Sequence, residues 1–115
     1  MTDRELLEAA AKAAGLTIHS GHQAGRDACG AGDMGLWIIN LTTCWNPLID
    51  DGDALGLAVQ LRMVVEIGRD ATLVYQDDPG ICQIHEGDPA AATRRAIVWF
   101  AATKAGQGEL VLPNV

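Results

Sequence analysis

The stretch from Trp45 to Leu61, WNPLIDDGDALGLAVQL, restricts the fold more than any other part of the chain. Pro47 fixes its own φ and moves Asn46 out of helical geometry, so the entry must be extended or turned. Asp50, Asp51 and Asp53 then fall where backbone N–H groups lack partners, and negative charge there opposes the positive end of a helix dipole. Leu55, Leu57, Ala58 and Leu61 supply the apolar side of the helix that follows. A turn, an acidic cap and a core-facing helix are predicted in one continuous run.

The rest of the chain can be placed around it. Thr2 and Glu5 have capping-box spacing, so a helix is predicted from about Asp3 to Ala14, stopping at Gly15. Leu6, Leu7, Ala10, Ala13 and Ala14 share its apolar side. Leu16 to His19 reads as a short strand. Residues 20–34 carry glycines at 21, 25, 30 and 32 and little apolar content, so a flexible Gly-rich loop is predicted, mobile or ordered by a ligand. Leu36 to Leu41 is a nearly continuous apolar run, as in a strand covered on both faces. Val64 to Ile67, Thr72 to Gln76 and Ile81 to His85 are three further strands. Gly68 to Ala71 forms a hairpin connection, and Asp78-Pro79-Gly80 suits a type II turn. Asp88 caps a last helix with Pro89 at its first position. That helix is predicted to run to about Lys104 and close at Gly106, leaving 107–115 as a tail. The expected fold class is α+β, a small sandwich of a mainly antiparallel four- to five-stranded sheet with three helices. The order is α-β-β-α-β-β-β-α, in a single domain over 1–115.

WNPLIDDGDALGLAVQL, followed at a distance by DPAAATRRAIVWFAA (Asp88 to Ala102), resembles the phage ABA sandwich domain family of small phage and prophage proteins. That family typically carries a W-x-P-L-x-D-D-G-D-A-L-x-L-A-V segment and a later D-P-x-x-A-T-R-R-A-I segment. Both occur here in the same order, and the resemblance covers roughly residues 35 to 105. It implies an α/β sandwich of phage origin. Function in the family is largely unassigned, so no reaction is implied.

A chain of 115 residues is long enough to bury a core without staples. Its 49% apolar and 20% charged content is that of a globular chain. Eight basic residues against fifteen acidic ones give a net charge of −7, which disfavours direct duplex binding because phosphate neutralisation needs clustered Lys and Arg. The acidity serves solubility or imitates nucleic acid. Cys29, Cys44 and Cys82 lack CxxC spacing and read as reduced thiols, consistent with a cytoplasmic location in the host bacterial cell. No apolar run approaches the ~20 residues of a membrane span, and the N-terminus is not a signal peptide.

No catalytic, cofactor or metal constellation is predicted. The Asp50 to Asp53 run lacks calcium-loop spacing, and His19, His22, Cys29 and Cys44 match no zinc knuckle. Gly30-Ala31-Gly32 meets neither phosphate-loop fingerprint, although Arg26 beside it is suited to an anion. Of Arg94 and Arg95, one is expected to pair with the Asp50 to Asp53 cluster, and the other is free for an acidic or phosphate group. Trp37 and Phe100 read as core. Trp45 reads as the aromatic most open to a partner beside the loop, although packing on the helix after Asp53 is the favoured placement. The predicted binding residues are therefore His22, Arg26, Trp45, Asn46, Asp51 and Arg95. The expected function is non-catalytic: a phage-derived accessory protein that sequesters a host defence protein or a nucleotide-type signal. The alternative is a small nucleotide- or metal-dependent enzyme using the 20–34 loop and the Asp50 to Asp53 cluster. Ile81 to His85 alternates apolar Cys82 and Ile84 with Gln83 and His85, the latter pair being the side expected to meet a partner in a homodimer.

Overall fold

The computed structural model describes residues 2–32, 35–41, 43–76 and 80–111, with side chains through 105. The elements are α1 (Asp3–Ala13), α2 (Ser20–Ala28), β1 (Leu36–Trp37), β2 (Cys44–Trp45), α3 (Asp51–Gln60), β3 (Val64–Ile67), β4 (Ala71–Tyr75), β5 (Ile81–Ile84) and α4 (Pro89–Val111). The architecture is α+β, and both sheets are antiparallel: β1-β2, and β3-β4-β5.

The main core is arranged around α4. Its stretch Ala96, Ile97, Val98, Phe100 and Ala101 is buried, as in a helix enclosed on most of its circumference. Packed against it are α1, α3 and the β4-β5 side of the larger sheet. Small residues at 96, 101 and 102 let these neighbours approach closely. Leu6, Leu7, Ala10 and Ala11 of α1, with Leu57 and Ala58 of α3, complete one core with Leu36, Ile38 and Trp45.

Local signals fix the helix ends. Thr2 and Glu5 form the capping box, with Glu5 N–H donating to Thr2 Oγ1 at 3.1 Å and Thr2 N–H to Glu5 Oε1 at 2.8 Å. Asp50 Oδ2 accepts from Asp53 N–H at 2.8 Å, and Asp88 Oδ1 from Ala90 and Ala91 N–H at 3.0 and 3.2 Å. Helix α1 closes on Gly15 at φ 75°, with Leu16 N–H reaching Ala11 C=O at 2.9 Å. Helix α3 ends in the same way on Arg62, a non-glycine residue at φ 54°.

Several expectations need correction. Of the expected 20–34 loop, 33 and 34 lie outside the described residues, and residues 20–28 are a fourth helix, not a loop. Its anchors are polar and leave no periodic apolar trace: His19 Nδ1 accepts from His22 N–H at 3.1 Å, and buried Gln23 accepts from Trp37 N–H at 2.6 Å. The four- to five-stranded sheet is two smaller sheets. Leu16 to His19 yields a single bridge, Ile18 to Ile38. The Leu36 strand is only two residues long, because the chain turns through Asn40 at φ 76°. Helix α4 continues past Gly106 to Val111, since an interior glycine weakens a helix by about 1 kcal/mol without stopping it. Asp78 and Pro79 of the expected turn, and 112–115 of the expected tail, lie outside the described residues. At Gly80 any Cβ would collide with the Val74 carbonyl, so β5 starts only because that position has no side chain.

Candidate functional site: an apolar groove with a hydroxyl chain

The pairing register divides the larger sheet into two faces. Val65, Ile67, Thr72, Val74, Ile81 and Gln83 face α4, while Val64, Glu66, Leu73, Tyr75, Cys82 and Ile84 face away. Strand β3 is an edge of this sheet, and α3 ends just before it. Between α3, β3 and the start of α4 runs an open groove of about 380 Å³. Ala54, Leu55, Ala58, Val65, Ile67 and Ile97 make most of its wall, and Leu55 and Ile67 are each 65% exposed. A concave apolar surface with a few polar groups is the usual form of a binding site.

The polar groups are Asp51, Thr93 and Arg94. Arg94 is committed: Nη1 donates to Asp51 Oδ1 at 2.7 Å and Nε to Leu48 C=O at 2.9 Å, with its side chain 17% exposed. Asp51 remains 80% exposed at the groove mouth. Thr93 Oγ1 lies 2.7 Å from Thr72 Oγ1, which is fully buried and lies 2.8 Å from His85 Nε2. His85 Nδ1 faces the Arg69 carbonyl at 3.3 Å. The groove thus opens onto a chain of hydroxyls ending at an imidazole. Strand β4, the residue just after β5 and helix α4 contribute one residue each, so spacing along the sequence gives no hint of the chain.

A second cluster surrounds α2. The His22 ring lies 4.3 Å from the Trp37 ring at 33°, and the Arg26 guanidinium lies 5.2 Å above the same indole. His22 and Arg26 are four residues apart, hence on one helix face. Arg26 Nε is buried without a hydrogen-bond partner among the described residues. Helix α2 is tied to α1 by Arg4, whose Nη1 and Nη2 reach the two Asp27 oxygens at 3.0 and 3.1 Å. That bond, and then the one from Gln23, holds the Asp27 carboxyl below its ordinary range.

The six predicted binding residues do not converge. His22 and Arg26 lie together on α2, and Asp51 belongs to the groove. Trp45 is only 6% exposed and packs in the core, because its β2 position opposite Leu36 turns the ring inward. The indole that carries side-chain contacts beside α2 is instead Trp37, which had read as core and is half-buried. Asn46 is also buried, accepting from Leu48 N–H at 3.1 Å, while its own N–H donates to Asp53 Oδ2 at 2.9 Å. Arg95 pairs with Asp3 at 3.1 Å on another side of α4. Strand β5 is inverted relative to expectation: Cys82 and Ile84 are exposed, whereas Gln83 and His85 are half-buried.

Among the described residues no group of three or more His, Cys, Asp or Glu is placed to hold a metal ion. No helix there is long and apolar enough to cross a membrane. No family model, no curated protein and no solved structure matches the chain.

Proposed function

We propose that the chain is a non-catalytic binding protein that sequesters a protein partner in the α3–β3–α4 groove. The observation that carries this reading is the groove itself, whose walls leave Leu55 and Ile67 65% exposed around a floor with few polar groups. The Asp50 to Asp53 cluster supports binding over catalysis. Asp50 and Asp53 accept backbone N–H groups and Asp51 pairs with Arg94, so these carboxylates serve the start of α3. With the resemblance to phage ABA sandwich proteins, the partner is a host factor of antiviral defence, met inside the bacterial cell.

A second reading has its own support in the α2 cluster. An indole flanked by an imidazole, and a guanidinium with an unpartnered Nε, suit an aromatic anion such as a nucleotide signal.

Affinity capture from host lysate with wild-type, Leu55→Glu and Arg26→Ala chains tests both readings. The groove reading expects a partner lost with Leu55→Glu and kept with Arg26→Ala, at unchanged melting temperature. Capture indifferent to Leu55→Glu overturns it. Nucleotide binding abolished by Arg26→Ala would establish the second reading instead.

A further inference from the structure

With the His85 imidazole neutral, the hydroxyl chain at the groove runs in one direction. A carbonyl oxygen only accepts, so His85 Nδ1 carries the proton toward Arg69 C=O. In the neutral imidazole Nε2 is then a bare acceptor, and Thr72 donates its single hydroxyl proton to it. Thr72 Oγ1 is left able only to accept from Thr93, which therefore turns its own proton inward. Thr93 retains only lone pairs for whatever occupies the groove. Asp51, whose Oδ1 already accepts from Arg94 and which stays 80% exposed, is a carboxylate and likewise an acceptor. Arg94, the cation among the described wall residues, directs Nη1 to Asp51 and Nε to the Leu48 carbonyl, so its charge is shared with that carboxylate.

We infer that the groove selects an apolar group bearing its own N–H or O–H donor, with a cation beside it. In a protein partner this is a tryptophan or tyrosine next to a lysine or arginine. The ring body would cover Leu55, Ala58 and Ile67, its donor would reach Thr93 Oγ1, and the cation would meet Asp51. Charge complementarity points the same way, since the chain carries a net charge of −7 and exposes this carboxylate at the groove mouth. At Thr93 a ligand group offering only an acceptor would bury lone pairs against lone pairs, which is the costly mismatch.

This inference rests on the groove being the binding site, and the probes separate the two claims. Indole, 1-methylindole and tryptamine are titrated into the intact protein and followed by amide shifts of groove residues. Indole should bind about fivefold more tightly than 1-methylindole, the difference one hydrogen bond makes. Thr93→Val should abolish that preference and Thr93→Ser should keep it. Tryptamine should bind more tightly than indole, and Asp51→Asn should remove the gain. Equal binding of indole and 1-methylindole to the wild type overturns the acceptor claim but leaves the groove standing. No gain for tryptamine overturns the cationic half. No shift at the groove with any probe overturns both the inference and the groove reading.

Discussion

Arg94 Nη1 lies 2.7 Å from Asp51 Oδ1, joining the second turn of α4 to the first turn of α3. The same side chain satisfies the Leu48 carbonyl through Nε, which holds the WNPL turn against the groove. The two partners are unequal. Asp51 is largely solvated and its share of the pair is screened, whereas Arg94 is largely enclosed.

Asymmetric mutational costs follow. Asp51→Asn should change stability by less than about 1 kcal/mol. Arg94→Ala should cost about 1–3 kcal/mol, because it strands the Leu48 carbonyl. Urea melts of the two variants decide this, and equal costs would mean that the ion pair, not the carbonyl, is what Arg94 serves.

The tryptophans should separate in the same assay. Trp45→Ala removes a ring that is 6% exposed and should cost about 3–5 kcal/mol. Trp37→Ala should cost less globally but speed amide exchange through α2, whose attachment runs through that indole and the Gln23 bond. Exchange in α2 unchanged by Trp37→Ala would contradict this account of how the helix is held.

Acid should loosen α2 before the core. The Asp27 carboxyl is lowered in the folded chain, first by the Arg4 hydrogen bond and then by Gln23. Its contribution is therefore complete above the ordinary value of 3.8 and lost as pH falls below it through the folded value. Amide exchange of α2 should rise over that range relative to α4. In Asp27→Asn the difference should already be present at neutral pH. An α2 as protected as α4 in acid would count against the Arg4–Asp27 tie.

The outward face of β3-β4-β5 is apolar at Val64, Leu73 and Ile84, which are 43%, 37% and 62% exposed. Burying such a face against a second copy would form a homodimer. Light scattering should then give twice the chain mass at micromolar concentration, and Ile84→Glu should return it to the monomer. A wild-type monomer across that range would remove the dimer.

What the sequence disclosed was local. The Thr2–Glu5 box, the Asp50 and Asp88 caps and the Gly15 stop follow from neighbouring residues, and the structure has each of them; it also has the expected pair of an arginine with the acidic run, Arg94 with Asp51, which is a long-range contact. The misses arise where a residue's environment is set by distant parts of the chain. Trp45 is core because β2 pairs with β1, and α2 persists through polar bonds to Arg4 and Trp37 that no periodicity reveals. Thr72, His85 and Thr93 meet only once the β4–β5 register and the packing of α4 are in place. The groove itself was foreshadowed by one residue alone, Asp51.

Photo-cross-linking in the host cell compares the two candidate surfaces directly. A benzophenone amino acid replaces either Leu55, on the groove wall, or Gly25, on the open face of α2. The account predicts a discrete protein adduct from position 55 and none from position 25. An adduct from position 25 with none from position 55 would contradict it and move the site to α2.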